Sequence, residues 1–429
     1  MKKKANKKSN YVTTTIITLS ACSLLALSGC SNASFISNNA STSETTVVKA
    51  VSNTVSLTSG SVDSTSLFSD RDLSQTADLS DCTYVTVTDG TDLHITEAGV
   101  YVISGTARNV TIYVEAGSED KVQLVLDGLS ITNDDFPCIY VKEADKVFVT
   151  TSSDSTLSVT GSFKKDEDVN TDGVIFSRSD LVLNGTATLT ISSTDNGIVG
   201  KDDLKVTGGT YKITASSKAI EANDSIRISD GTFYLKAGTD GLHAENDDDD
   251  SLGYIYIGGG TFEINAGDDG IHATSLLQID DGEFSINAAE GLEATYIQIN
   301  GGNINIQASD DGINAARKSS SYHPTVEFNG GTITITMGAG DTDGVDSNGD
   351  IIVNGGTISV TGNSTFDYDG TATYNGGTLI VNGQKTTTIP NQMMGGFGGN
   401  GDGGFGGGFG GNGNGGFGGN NMGGGKGRH

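Results

Sequence analysis

Residues 259–280 read GGTFEINAGDDGIHATSLLQID, residues 281–300 read DGEFSINAAEGLEATYIQIN, and residues 301–315 read GGNINIQASDDGINA. Set beneath one another, these lines repeat a glycine-bearing turn, an alternating run, an acid-Gly step and a short apolar run. The alternating runs are Thr261-Phe262-Glu263-Ile264-Asn265, Glu283-Phe284-Ser285-Ile286-Asn287 and Asn303-Ile304-Asn305-Ile306-Gln307. A period of two, rich in Ile, Phe and Thr, reads as a strand with one face against a core. The glycines supply the positive φ angles that tight corners need.

The turn recurs on both sides of this stretch. It appears at Gly208-Gly209-Thr210, Asp230-Gly231-Thr232, Gly330-Gly331-Thr332, Gly355-Gly356-Thr357 and Gly376-Gly377-Thr378. Weaker copies run back through Asn184-Gly185-Thr186 to the strand from Lys121 to Leu126. A second short strand follows each turn, as in Gly270-Ile271-His272-Ala273, and a third precedes the next, as in Leu276-Leu277-Gln278-Ile279. Three short strands per ~20–25 residues, with no helical period, match one coil of a parallel β-helix. Propeller blades need about 40 or more residues each, and leucine-rich repeats need a Leu/Asn frame absent here. The expected fold class is therefore all-β: a single-stranded right-handed parallel β-helix (solenoid) over residues 79–388. About a dozen coils are expected, with Asn ladders and stacked aliphatics filling the interior.

One column of this repeat carries the chemistry. The residue before the glycine of the second strand is successively Asp172, Asn196, Lys218, Asp240, Asp269, Glu290, Asp311, Asp343 and Asp369. The residue two places after that glycine is Glu221, His243, His272, Glu293, Asn314 and Asp346. Further acids precede the first column at Asp195, Asp268, Asp310 and Asp341. Stacked coils would file these carboxylates about 4.8 Å apart. At an effective dielectric near 20 such neighbours repel by roughly 3–4 kcal/mol. Raised pKa values, a basic neighbour such as Lys218, or bound cations would relieve the repulsion. Hard oxygen donors with few Lys or Arg nearby fit several Ca²⁺ ions, held by Asp240, Asp268, Asp269, Glu290, Glu293, Asp310, Asp311, Asp343 and Asp346. His243 and His272 could admit a softer metal. The competing reading is that each Asp-Gly only closes its own corner; the doubled acids Asp268-Asp269 and Asp310-Asp311 favour ions, since a turn needs one.

Two coils are longer than the rest, through Asn246 to Ser251, which holds Asp247-Asp248-Asp249-Asp250, and through Arg317 to His323. These loops could wall a groove. Tyr254, Tyr256, Tyr296 and Tyr322 lie near them, and with Arg317 form a candidate carbohydrate-binding set, because aromatic faces stack on sugar rings. An ordinary strand role for Tyr254 and Tyr256, and a solvated loop for the Asp run, fit the sequence as well.

The flanks differ from the repeat. Basic Lys2 to Lys8, the apolar run Ile16 to Leu27 and Leu27-Ser28-Gly29-Cys30 read as a lipoprotein signal over residues 1–29, with Cys30 as the lipidated mature N-terminus. This predicts an extracellular protein held by its lipid on the bacterial membrane surface. Residues 30–78 are Ser/Thr-rich and read as a disordered linker or stalk. Residues 389–429 are mostly Gly with Phe397, Phe405, Phe409 and Phe417, and read as a disordered tail. Cys82 and Cys138 could pair or remain as buried thiols. The formal net charge is −28, from 53 acidic and 25 basic residues. Nucleic acid is therefore disfavoured as a partner, and removal of the basic leader makes the chain more acidic still.

The lipobox-like start, the Gly-Gly-Thr turns and the Asp-Asp-Gly-Ile-(His/Asn)-Ala segments together resemble a family of secreted clostridial carbohydrate-binding parallel β-helices. The resemblance covers about 80–388, most specifically Gly208 to Gly377. It implies a pectate-lyase-like fold, bound calcium, and attachment to acidic polysaccharide such as polygalacturonate or to cellulose. It places calcium on Asp240, Asp268-Asp269, Asp310-Asp311 and Asp343. The Gly/Phe tail and Asp247 to Asp250 lie outside the family pattern. A lyase would need a strong base facing a metal-bound uronate; Arg317, Lys318 and Lys218 are the basic residues near the column. A polygalacturonase would need a Gly-His-Gly step and an Arg-Ile-Lys step that are missing here. Binding without catalysis is the expected function, with a calcium-dependent lyase and a structural surface or spore-type protein as alternatives.

Overall fold

The computed structural model describes residues 61–339 and 342–392. Its alternating runs are strands with the expected sidedness: in Thr261–Asn265, Phe262 and Ile264 are buried while Thr261, Glu263 and Asn265 are exposed. The described strands form one sheet of 24 strands and one of 12. They pair in parallel except for one hairpin, Thr378–Val381 with Gln384–Thr386. The chain is all-β with parallel sheets, an arrangement consistent with a solenoid.

Through the central repeats each strand pairs with the one three places further along. Thr261–Asn265 lies beside Glu283–Ala288, which lies beside Asn303–Ala308 and then Thr332–Met337. Tyr254–Ile257, Leu276–Ile279, Tyr296–Ile299 and Thr325–Phe328 make a second ladder. Leu242–Ala244, Asp269–Ala273, Glu290–Ala294 and Ile313–Ala315 belong to a third, the 12-stranded sheet. The first two ladders join because the long strand Lys121–Asn133 pairs with Lys146–Ser153 at one end and Ser155–Val159 at the other, with a register slip between Leu126 and Asp127.

In-register pairing superposes like residues. Phe233, Phe262 and Phe284 stack at 4.6 and 4.5 Å between centroids, with planes within 2°. Ile271, Leu292, Ile313 and Val345 form a buried file behind the third ladder. Such burial of whole aliphatic and aromatic side chains supplies about 1.5–3 kcal/mol per residue. At the corners, Gly260, Gly282 and Gly302 adopt φ of 113°, 130° and 86°, as the turn reading expects. Gly291 serves a different need: a Cβ there would overlap the Gly312 carbonyl oxygen and the Ile306 Cγ2. The asparagine ladder is real but lies at a corner rather than inside. Asn329 donates to Asn300 at 2.8 Å, Asn354 to Asn329 at 2.8 Å and Asn375 to Asn354 at 2.7 Å, with Asn354 and Asn375 exposed.

The expected linker ends earlier than residue 78. Residues 61–78 are folded, with a short helix Asp70–Leu73 closed by a Ser69/Asp72 capping box. Asp72 is 1% exposed, and its carboxylate meets Lys205 Nζ at 3.2 Å and Lys146 Nζ at 3.8 Å. The Val62 N–H donates to Gln278 Oε1 at 2.6 Å, and the Gln75 amide donates to the Thr207 carbonyl at 2.9 Å. The segment is a strap across the outer face of the second ladder. At the other end, order continues beyond 388: Ile389 is buried, and the Gln392 N–H donates to the Phe366 carbonyl at 2.9 Å. The predicted signal peptide, Cys30 and the rest of the glycine tail lie outside the described residues. Cys82 and Cys138 are unpaired thiols; Cys138 is fully buried, which pushes its thiol up to about 12.

Candidate functional site

The second column expected from the sequence forms as written. Glu221 pairs with His243, His243 with His272, His272 with Glu293, Glu293 with Asn314, and Asn314 with Asp346. Asp367, unmarked by the sequence reading, continues it beside Asp346. The first column is correct from Asn196 to Asp343 and fails at both ends. Asn196 faces Gly173 rather than Asp172, and Asp343 faces Ser364 rather than Asp369. Asp369 follows the strand Ser364–Tyr368 and belongs to the next turn, so its Asp-Gly step copies the motif without its position. Asp268 and Asp310 are exposed, beside the column rather than in it. Asp341 is outside the described residues.

The column divides electrostatically into two stretches. In the first, protein cations meet the acids. Lys201 reaches Glu221 at 3.1 Å, and Lys218 reaches it at 3.6 Å. His243 lies 2.8 Å from Asp240 and 3.1 Å from Glu245, whose carboxyl is held at about 2 mainly by that hydrogen bond. His272 Nδ1 sits 2.6 Å from Asp269 and 2.9 Å from Glu293, and Lys318 Nζ is 2.9 Å from Glu293. Burial pushes Asp269 up, aided by Glu293; Glu293, though also buried, is drawn down by His272 and Lys318.

The second stretch lacks such partners: among the described residues no ion pair reaches Glu290, Asp311, Asp346 or Asp367. Burial pushes Glu290 up to about 8, and Glu293, Asp269 and Asp311 add to it. Burial likewise raises Asp311 to about 6 and Asp346 to about 7, each reinforced by neighbouring acids. Asn314 donates to Glu290 at 3.0 Å, while its Oδ1 and the Oδ1 of Asp367 are enclosed without a hydrogen-bond partner. Unmet oxygens among like charges are a donor set for a hard cation.

The predicted aromatic set is corrected. Tyr254 and Tyr256 are 2% and 6% exposed, packed with Leu276 beneath Val62, Leu67 and Phe68 of the strap. Tyr296 and Tyr322 are partly buried against the same cluster, 6.0 Å apart between centroids, and the Tyr296 hydroxyl donates to Glu327 at 2.7 Å. The covered rings of Tyr254 and Tyr256 cannot stack on a sugar. Arg317 is exposed on its loop, and Lys318 is the loop residue that enters the column. The two long loops close on one another: the Ser320 N–H donates to Asp250 Oδ2 at 2.8 Å, and Ser319 donates to the Asp250 carbonyl. They do not wall a groove together, and Asp249 and Asp250 serve loop hydrogen bonds.

An open groove lies instead at the corner between the first and third ladders, with a volume of 430 Å³. Ala266, Gly267, Ala288 and Ala308 form its small-residue floor, and Asn287, Gln307 and Thr336 supply amides and a hydroxyl. Asp268, Glu290 and Asp310 follow those lining residues directly in the chain. The sequence reading missed this groove because its residues are small and chemically quiet.

A carbohydrate-binding domain-containing protein of Acetivibrio thermocellus is 35% identical over 129 residues, which is 29% of this chain and 45% of that protein. The match thus spans less than half of the relative's length. The structure titled polysaccharide lyase-like protein from C. thermocellum, gadolinium derivative, covers 70% of this chain and 96% of its own at 24% identity and a TM-score of 0.41. The profile of the family described as carbohydrate-binding domain-containing protein matches residues 89–341 and 290–391. With well over half of its length matched, the chain belongs to this family of carbohydrate-binding domain-containing proteins.

Proposed function

We propose that the protein is a calcium-dependent polysaccharide-binding lipoprotein of the cell surface, wound as a right-handed single-stranded parallel β-helix. The handedness follows the preference of parallel crossovers. Family membership supports carbohydrate as the partner. The observation that carries the calcium reading is the run of half-buried acids Glu290, Asp311, Asp346 and Asp367 without ion-pair partners among the described residues, with two enclosed oxygens lacking donors. All are hard oxygen donors, as calcium requires.

Bound calcium supplies the positive charge that an acidic glycan needs to approach so acidic a chain. The chain's own residues then do the positioning. The corner groove runs across consecutive repeats, so a polymer lying along it meets a floor of small residues that ends at Met337. Asn287, Gln307 and Thr336 offer donors and acceptors to sugar hydroxyls. The preferred class is polygalacturonate-like acidic polysaccharide, with cellulose as the neutral case. Lipid on Cys30 would hold the protein at the membrane surface. Binding rather than lysis is favoured because the basic loop residue nearest the column, Lys318, is engaged with Glu293.

The test is retention of the full chain on insoluble polygalacturonate and on cellulose, with calcium and with chelator, for wild type and Asn287→Ala/Gln307→Ala. Calcium-dependent retention weakened by the double substitution is expected. Retention on neither polymer would overturn the reading, and appearance of unsaturated uronate product would replace it with a lyase. For the anchor, a Cys30→Ala chain should leave the membrane fraction.

A further inference from the structure

One repeat of the acidic column has a donor set unlike the others. Asp269, His272 and Glu293 each offer one ligand atom, and these atoms all lie within 4.8 Å of one another. The three residues are buried, at 5%, 8% and 6% exposure. In-register pairing of Asp269–Ala273 with Glu290–Ala294 produces the cluster, since it sets Glu293 directly beside His272. His272 Nδ1 therefore faces two carboxylate oxygens, at 2.6 and 2.9 Å. That nitrogen carries a single hydrogen, so two anionic acceptors share one donor. A divalent ion in place of the hydrogen would satisfy both carboxylates and the ring nitrogen together.

Neighbouring residues hold the set in place. Asp240 accepts the Asp269 backbone N–H at 3.2 Å and lies 2.8 Å from His243 Nδ1. The His243 ring stacks over the His272 ring at 4.5 Å and 22°, which fixes the plane of the ligand imidazole. Outer partners of this kind orient metal-binding histidines. Lys318, about a third exposed at 32%, neutralises Glu293 from the solvent side, and its flexible stem lets it withdraw.

We infer that Asp269, His272 and Glu293 form a site for one divalent transition metal of the zinc class, distinct from the calcium positions proposed for Glu290, Asp311 and Asp346. An imidazole with two carboxylates suits zinc and its neighbours, with a fourth position left to water or ligand. Calcium takes oxygen donors and gains little from the ring nitrogen.

Co²⁺ is the probe. The metal-stripped full chain, with excess Ca²⁺ present, is titrated with Co²⁺ while its visible absorption is followed; Zn²⁺ is then added. One equivalent of Co²⁺, displaced by Zn²⁺ and not by Ca²⁺, is expected. His272→Gln should weaken Co²⁺ binding about tenfold or more, and Lys318→Ala should tighten it several-fold by removing the competing cation. No uptake by the folded wild type overturns the inference, as does uptake unchanged in His272→Gln. If His272→Gln does not fold, unchanged affinity in Lys318→Ala overturns it instead. Calcium binding lost with Co²⁺ uptake retained would count against the calcium reading alone.

Discussion

The Oδ1 of Asp311 accepts the backbone N–H of Asp343 at 3.0 Å, one repeat further along the axis. Asp240 does the same for Asp269 at 3.2 Å. Asp240 and Asp311 are thus each tied to the backbone of the next column acid, so these carboxylates cannot relieve repulsion by swinging apart. Protonation or a cation must do it.

Without divalent metal, stability should fall as pH rises. Glu290 has an ordinary value of 4.5 and stands at about 8 in the fold, and Asp346 moves from 3.8 to about 7. Between those values the folded chain holds protons that the unfolded chain has lost, so each step up in pH favours unfolding. The melting temperature in chelator should be highest near pH 4 to 5, decline through pH 8, and flatten in Glu290→Gln. Thermal melts across that range check it; a temperature that rises with pH would contradict the assignment.

Calcium binding should release protons. Near pH 6, Glu290 and Asp346 are largely protonated in the metal-free fold, and a calcium ligand must be ionised. Calorimetry in two buffers of different ionisation enthalpy should give different apparent heats. Equal heats would mean that the ion binds elsewhere.

Asp72→Ala should destabilise the fold by about 3 kcal/mol, because it leaves Lys205 enclosed without its counter-charge. Urea unfolding measures the loss. The same variant should loosen the strap and increase binding of a hydrophobic dye as Tyr254 and Tyr256 become accessible.

Tyr254→Ala should cost about 3 kcal/mol of stability through the cavity it leaves, and should leave polysaccharide retention unchanged. Retention assays beside urea melts separate the two effects. A specific loss of binding would restore Tyr254 to the site.

Gly291→Ala should cost about 1–3 kcal/mol, since the added methyl meets the Gly312 carbonyl and the Ile306 side chain in a packed interior. Gly383→Ala meets no atom within 4 Å, but its φ of 78° disfavours a side chain. Comparing their unfolding midpoints separates steric crowding from backbone strain.

The ladders were legible because in-register stacking makes like residues recur at like positions: Phe262 over Phe284 and Ile264 over Ile286 can be seen in one line of sequence. The same logic located His243, His272 and Glu293. It failed where spacing alone misleads, as at Asp369, whose Asp-Gly step sits one turn beyond the strand that supplies Ser364. It failed more completely at the strap. Residues 61–78 have no periodicity and fold through contacts such as Lys205 Nζ to Asp72, 133 residues apart. Without the strap, the tyrosines of the second ladder read as a free aromatic surface; with it, they are interior. Nor could composition tell that His272 and Lys318 converge on Glu293 from different parts of the chain.

The terminal hairpin carries a consequence for how copies of the protein meet. A parallel ladder presents, at its last strand, the same unfilled amides and carbonyls that recruited every earlier strand, and another chain could continue the series. Here Gln384–Thr386 folds back antiparallel onto Thr378–Val381, and Gln392 returns to the edge at Thr365 and Phe366. Reversing this strand breaks the translational pattern on the first ladder, so its last described edge no longer repeats the surface that each earlier strand offered to the next.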